Sequence, residues 1–414
     1  MQSLKLNSVP TLVESPFIIA KVGDYTFGSF AKTDANSASG AILNVNYPNF
    51  MQALSINKVN GAVNNYTLTL VYQITKGDDP NLLERIFSSV SDTRKIVLSY
   101  GDYKYPSYIY KEEAALITNI YADVNIGQSR ITYTLSCISS AVALMGNTYN
   151  FPQREDQPSN VIKELVYNAA YALTDVFKGM VDKQKVLANN VIASNDKKVL
   201  IEAKQGITLL DYINYLVNCM SSASNTDSDI INNSKYYMAI RDGATNNFGG
   251  SYFTVQEVSA DTQVSSYDTY EVDINYPGEN FVTSFSINNN QQWSILFDYS
   301  NKVEQSNYIY KINNQGQLIT EFSPSIARSN TLLTVPEVNK SWWTKMTAFP
   351  ISATLTIKGL TRPTMLMNYI KVNVYFYGRK HISSGLYIIT KEQDQLDSQG
   401  YKTTLSLTRV GEDS

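Results

Sequence analysis

The sequence predicts a mainly β protein with an α+β middle, in which two β-barrel or sheet units flank a helix-containing region. Three observations predict it. Of the 414 residues, 30 are Tyr, and Asn, Ser and Thr are abundant beside them; aromatic and β-branched side chains fit pleated, half-buried surfaces. Segments toward both ends alternate apolar and polar side chains with period two, as strands with one buried face do. Between them, two segments carry apolar stripes at helical spacing. The hydrophobic fraction of 43% is enough to build cores, and the length exceeds what one core usually serves.

Residues 1–150 are predicted as the first β unit. Tyr66, Leu68, Leu70, Tyr72 and Ile74 alternate with Thr67, Thr69, Val71 and Gln73, which gives a strand with one apolar face. Gly77-Asp78-Asp79-Pro80 ends it. A short helix over 81–90 follows, with Asp79 as N-cap and Pro80 at its start. Strands are expected at Ile96–Leu98, from Leu116 onward, and at Ile131–Cys137. Tyr103–Tyr110 contains Pro106 and reads as an edge or a loop.

Residues 151–268 are predicted as the helical α+β middle. A polar connector over Phe151–Pro158 leads to a helix capped by Ser159-Asn160, with its stripe at Ile162, Leu165, Val166, Ala169 and Leu173. A second helix is expected over Leu209–Met220, with Thr208 and Asp211 as a capping box. Ser221–Asn233 is small and polar and reads as a long loop. Strands return at Tyr236–Ile240 and Tyr252–Val258. Residues 269–345 hold further strands, with Val282, Phe285 and Ile287 in one and Trp293, Ile295 and Phe297 in another, then a polar arm over Ser300–Asn339. They are expected to join the last barrel in part.

Residues 346–414 are predicted as the second β unit. Thr354 and Thr356 alternate with Leu355 and Ile357, and Ile370, Val372, Val374 and Phe376 follow in the same manner. Gly359, Gly378, Gly385 and Gly400 are expected in the turns. A terminal strand locked into a sheet points to a closed or partly closed barrel.

Much chemistry is missing from the sequence. There is one histidine, His381, so most triads and zinc sites lack their parts. Phe248-Gly249-Gly250-Ser251 is not followed by the Lys-Ser/Thr of a phosphate loop. Cys137 and Cys219 read as small buried hydrophobes and not as a disulfide. A glycosidase pair among scattered carboxylates, such as Glu112 and Glu113 or Asp227 and Asp229, stays open because such pairs converge only in space. No catalytic, cofactor-binding or metal-binding residue is assigned, and the chain is expected not to be an enzyme. The net charge of −3 and the absence of a basic block argue against a nucleic-acid grip. The start lacks a signal-peptide core and no apolar run is long enough to span a membrane, so host-cytoplasmic synthesis and no stable membrane insertion are expected.

The final unit carries a resemblance. Leu355-Thr356-Ile357-Lys358-Gly359, the strand to Phe376, Ser384-Gly385-Leu386-Tyr387-Ile388-Ile389 and Gly400-Tyr401-Lys402-Thr403-Thr404-Leu405-Ser406-Leu407-Thr408-Arg409 come in that order. The order resembles central hub proteins of bacteriophage tails and contractile baseplates. The strand–short helix–strand pattern of the first unit is similar to the tail-tube fold that such hubs carry twice. The resemblance covers about residues 12–147 and 340–412. It implies a homotrimeric virion protein of the tail, with tail-tube or distal tail proteins above, a spike or needle protein below, a tape-measure protein as a further partner, and DNA passing through the channel without specific binding. Trp342-Trp343 would then contact a neighbouring subunit or fill a domain boundary. Two other readings are a distal tail or tube protein, which a single tube-like domain would favour, and a carbohydrate-binding or -degrading β protein.

Overall fold

The computed structural model describes residues 16–29, 45–47, 49–88, 95–102, 110–167, 198–224, 235–242, 251–258, 268–273, 282–289, 308–312, 318–322, 351–358 and 366–411. Trp293, Trp342-Trp343, Gly359, the Gly249-Gly250 pair, Asp227 and Asp229 lie outside them, as do the distal part of the first middle helix and most of the loop after Ser224.

The first barrel is built from β1 (Pro16–Val22), β2 (Tyr25–Gly28), β3 (Met51–Val59), β4 (Asn65–Gln73), β5 (Lys95–Asp102), β6 (Tyr110–Asn125) and β7 (Arg130–Ser139), with α1 (Leu82–Ser88) between β4 and β5. All contacts between neighbouring strands here are antiparallel, in the order β3-β4-β7-β6-β5-β1-β2. Alternation puts Tyr66, Leu68 and Leu70 of β4 and Tyr133, Leu135 and Cys137 of β7 on one inner face with Leu54 and Ile56 of β3. Each fully buried side chain of this size contributes roughly 1.5–3 kcal/mol. The sheet curls until β2 reaches the segment before β3: Tyr47 N–H donates to Thr26 C=O and Gly28 N–H to Tyr47 C=O, and Phe27 stacks on Tyr47 at 5.2 Å. Asp79 takes the N-cap role expected of it, accepting from Asn81 N–H at 3.0 Å and pairing with Arg85. Strands β1, β2 and β3 have no counterpart in the sequence reading.

The middle comprises β8 (Thr148–Phe151), β9 (Arg154–Asp156), α2 (Pro158–Tyr167), β10 (Val199–Ile201), β11 (Lys204–Thr208), α3 (Leu209–Ser224), β12 (Lys235–Asp242) and β13 (Ser251–Val258). Strands pair in twos: β9 with β10, β8 with β11, β12 with β13. Val161, Ile162 and Leu165 of α2 and Tyr212, Ile213, Leu216 and Val217 of α3 form one core with Tyr236, Met238 and Ile240 of β12. Phe151 lies flat on Tyr212 at 3.7 Å. Thr208 caps the helix as expected: its Oγ1 accepts from Asp211 N–H at 3.1 Å, and the Asp211 carboxylate accepts from the same hydroxyl at 2.7 Å. The short strands β8, β10 and β11 have no counterpart in the sequence reading, and three further details differ from it. α2 opens at Pro158, which suits a first helical position. The connector before it holds the short strand β9. α3 runs through Ser221–Ser224, because small side chains do not interrupt a helix already nucleated upstream.

The second barrel is built from β14 (Asp268–Asp273), β15 (Val282–Asn289), β18 (Ile351–Lys358), β19 (Tyr369–Phe376), β20 (Arg379–Lys380), β21 (Gly385–Asp397) and β22 (Gly400–Gly411), and β16 (Tyr308–Ile312) and β17 (Leu318–Phe322) form a separate antiparallel hairpin within the polar arm. The strand order is β15-β18-β22-β21-β19-β14. Leu355, Ile357, Ile370, Val372, Tyr387, Ile389, Leu405 and Leu407 make its core, with Val272, Val282 and Phe285 packed against them. Gly385 is the first residue of β21, opposite Val372, and not a turn residue. Gly400 does turn the chain, at φ +117°. An Ala there would be strained by about 1–3 kcal/mol, so Gly400→Ala should lower the denaturation midpoint while leaving the far-ultraviolet circular dichroism unchanged.

The two barrels are copies of one pattern. Their orders match strand for strand: β3-β4-β7-β6-β5 against β15-β18-β22-β21-β19. The irregularities match too. The first two strands slip register between Met51 and Ala53 in one copy and between Val282 and Ser284 in the other. The long hairpins bulge at Thr118 and at Thr390. At each bulge the threonine Oγ1 donates to a serine carbonyl across the hairpin, Ser136 at 2.9 Å and Ser406 at 3.2 Å. The outer strand differs: β1 runs antiparallel to β5, and β14 runs parallel to β19. Finally, the copies are joined. The second half of β21, Lys391–Leu396, pairs antiparallel with Leu54–Val59 of β3 and merges the two barrels into a single 14-stranded sheet.

Candidate functional site

The seam between the barrels gives the shared sheet two chemically distinct sides. Strands β15, β18, β22, β21, β3, β4, β7 and β6 run side by side in that order. Their inward positions hold the two cores. Their outward positions hold hydroxyls and amides: Ser286 and Thr354, then Thr404, Ser406, Gln393 and Gln395, then Ser55, Thr67, Thr134 and Ser136, none of them buried. Strands with Thr on one face and Leu or Tyr on the other arise from the period-two pattern alone. The result is a broad hydrophilic surface with a few scattered charges, Lys358, Lys391 and Lys402 on the side of the second barrel and Asp123 on that of the first. It wets easily and offers few fixed charges to hold a phosphate chain.

Behind the seam lies a polar cluster that the sequence reading missed. Lys58, Glu113, Asp242, Glu392 and Asp394 are all at most 4% exposed. Glu113 of β6 accepts from Lys58, from Tyr66 at 2.7 Å and from Tyr100 at 2.8 Å. Asp242 of β12 accepts from Asn64 at 2.8 Å and Ser139 at 2.6 Å, and lies 2.8 Å from the Tyr66 hydroxyl, whose single proton it shares with Glu113. Glu392 stands directly across the seam from Lys58 and accepts from Leu366 N–H at 3.2 Å. Asp394 accepts from Thr403 at 2.5 Å. Barrel one and the middle therefore share one hydrogen-bonded network, and the buried carboxyls of barrel two stand beside it across the seam. A signal for it existed: Lys58 continues the inward alternation of Leu54 and Ile56, and Glu392 and Asp394 continue that of Leu396.

The phenols in this cluster are held far above their ordinary range. Burial is the main cause for Tyr66, with the Asp242 and Glu113 charges adding to it. Burial again leads for Tyr100, ahead of Glu113 and Asp394, and for Tyr401, ahead of Asp394 and Glu392. Burial also pushes the Cys137 thiol up to about 12. All four groups titrate higher in the folded chain than in the unfolded one. The stability they contribute is whole below their unfolded values, 9.0 for the thiol and 10.0 for the phenols, and is lost as the pH rises beyond them. Denaturant midpoints should hold steady at neutral pH and fall from about pH 9 upward. Phenolate absorbance of the buried set should appear only together with unfolding.

The other singled-out residues do not gather there. His381 sits in the exposed turn before β21, where Nδ1 is 2.7 Å from Ser383 Oγ, His381 N–H donates to Val374 C=O, and the ring meets Phe376 edge-on. These contacts close the turn. Cys137 and Cys219 are buried thiols on β7 and α3, and neither is in a disulfide. Of the Glu112/Glu113 pair, Glu113 is spent on the cluster. Among the described residues no helix is long and apolar enough to cross a membrane.

No protein-family model and no curated relative matches the sequence. Solved structures do. The 43 kDa tail protein of prophage MuSo2 from Shewanella oneidensis superposes with a TM-score of 0.50 at 11% identity, over 95% of this chain and 98% of that one. The chain has the fold of a phage tail protein. That tail-protein fold extends over both barrels and the middle, since the match spans almost the whole of each chain. A tail protein from Neisseria meningitidis MC58 gives 0.49 at 10% identity, over 95% and 97% of the two chains. The Escherichia coli c3393 protein, a component of the type VI secretion system with structural similarity to the T4 bacteriophage tail proteins gp27 and gp5, gives 0.42 at 7% identity, over 87% and 73%.

Proposed function

We propose that this protein is the structural hub of a phage tail or baseplate and carries no catalytic activity. The observation that carries the reading is the duplicated barrel. A ring that must meet a six-fold tube can be made from three chains if each chain supplies two copies of one unit, because heterologous contacts close only at fixed rotation. The seam inside this chain already joins two such copies side by side. A tube built from a single copy per chain would not need that seam, which favours the hub over a simple tube or distal tail protein. In the hub, tail-tube or distal tail proteins stack above the ring and a spike or needle protein sits below. The hydroxyl- and amide-lined face turns to the channel, and DNA passes along it without being held. The protein belongs in the virion tail.

Mass measurement in solution tests this. The purified protein should run at three times the 46.3 kDa chain at micromolar concentration. A species that stays at one chain mass up to the solubility limit would sink the trimeric hub.

A further inference from the structure

The repeat says more than that there are two barrels, because one of its two seams is missing from the single chain. Within the chain, β3 of the first copy takes the second half of β21 of the second. The equivalent of β3 in the second copy is β15. The equivalent of the second half of β21 in the first copy is the second half of β6, beyond the bulge at Thr118. Among the described residues, β15 pairs only with β18, and Asn119–Asn125 of β6 pair only with β7. Each therefore has one edge without a partner strand among the described residues.

We infer that these two edges are the two halves of one interface, and that a second copy of this chain fills it: β6 of one copy pairs antiparallel with β15 of the next. The register follows from the internal seam. Asp394 faces Ile56 and Leu396 faces Leu54 there. Carried through the shared bulges, Ala122 should face Ile287 and Val124 should face Phe285. This refines the hub reading and rests on it.

Exposure supports the assignment. At the closed seam Ile56 and Leu396 are 0% and 1% exposed. Their counterparts Ile287 and Val124 are 41% and 59% exposed, and Ile120, the counterpart of buried Glu392, is 40% exposed. Four of the large exposed apolar side chains thus fall on the two open edges, Tyr121 on the outward side and Ile120, Val124 and Ile287 on the inward one. Free edges are normally guarded by Lys, Pro or a bulge. Residues 282–289 contain no charge and no proline, and 119–125 hold only Asp123, which points to the hydrophilic side. Closing the contact makes the hydrophilic face continuous from chain to chain. The composition also keeps the seams distinct: Lys58 opposite Glu392 marks the internal one, and apolar Ile120, Val124 and Ile287 mark the external one.

The test is a paired-cysteine variant, Ala122→Cys with Ile287→Cys. Opposed antiparallel positions lie within disulfide reach, and the native thiols are buried. Mild oxidation should give a reducible ladder reaching beyond a dimer, which neither single variant can form. Separately, Val124→Lys should weaken self-association by about tenfold or more, since it sets an unpaired charge in an apolar seam, and should leave the circular dichroism of the monomer unchanged because the site is exposed in it. A trimeric protein with neither cross-link nor Lys effect overturns this interface and leaves the hub standing. A monomeric wild type overturns both.

Discussion

Replacing Lys58 by Ala is expected to destabilise the folded chain by about 3–5 kcal/mol. Lys58 is 1% exposed and is the only buried cation among the described residues, set against the buried carboxyls of Glu113, Asp242, Glu392 and Asp394. Removing it leaves Glu113 with only the Tyr66 and Tyr100 hydroxyls, and removes the positive charge facing Glu392 across the seam. A carboxylate stranded in that environment costs more than the pair contributes net. Glu113→Gln should cost less, because the amide oxygen can still accept from Tyr100, Tyr66 keeps Asp242 as an acceptor, and no carboxylate is stranded. Urea titration followed by tryptophan fluorescence and circular dichroism checks the order. Equal losses for the two variants would mean that charge pairing at the seam is unimportant.

Leu68→Ala and Leu355→Ala should each cost about 2–5 kcal/mol. Both side chains are 0% exposed, and they occupy the same place in the two barrels: Leu68 faces Leu135 as Leu355 faces Leu405. Neither site has a described way to collapse, because it sits mid-strand between paired neighbours. The pair also reads out the seam. If the continuous sheet unfolds as one cooperative body, either substitution lowers a single transition. If the barrels melt separately, each substitution shifts only its own step. The backbone ladder that joins β3 to β21 favours the single transition.

Legibility in the sequence tracked locality. The α3 cap was readable because Thr208 and Asp211 are three residues apart. The strands β4, β7, β18 and β22 were readable because each alternates without interruption. β3 was not, because Lys58 stands where the pattern demands an apolar residue, and its partner is on the far end of the chain. β1 was missed because Phe17–Ala20 is a continuous apolar run without a period. The repeat leaves short traces: Thr67-Leu68-Thr69-Leu70 beside Thr354-Leu355-Thr356-Ile357, Ser55-Ile56-Asn57 beside Ser286-Ile287-Asn288, and Thr134-Leu135-Ser136 beside Thr404-Leu405-Ser406. Connections of unequal length set these traces at different spacings, so no single period exposes them. Sheet order and the matched bulges do. The hydrophilic face was legible residue by residue as the polar half of each alternation. That those halves lie on one surface depends on the seam, which is a long-range contact.

Electron microscopy of the purified protein tests the central claim most directly. The account predicts a three-fold ring with six barrel densities around an open pore, and with the Thr-, Ser- and Gln-bearing face of the shared sheet toward the pore. A solid particle, or a ring with its apolar barrel cores and not this face nearest the axis, would contradict it.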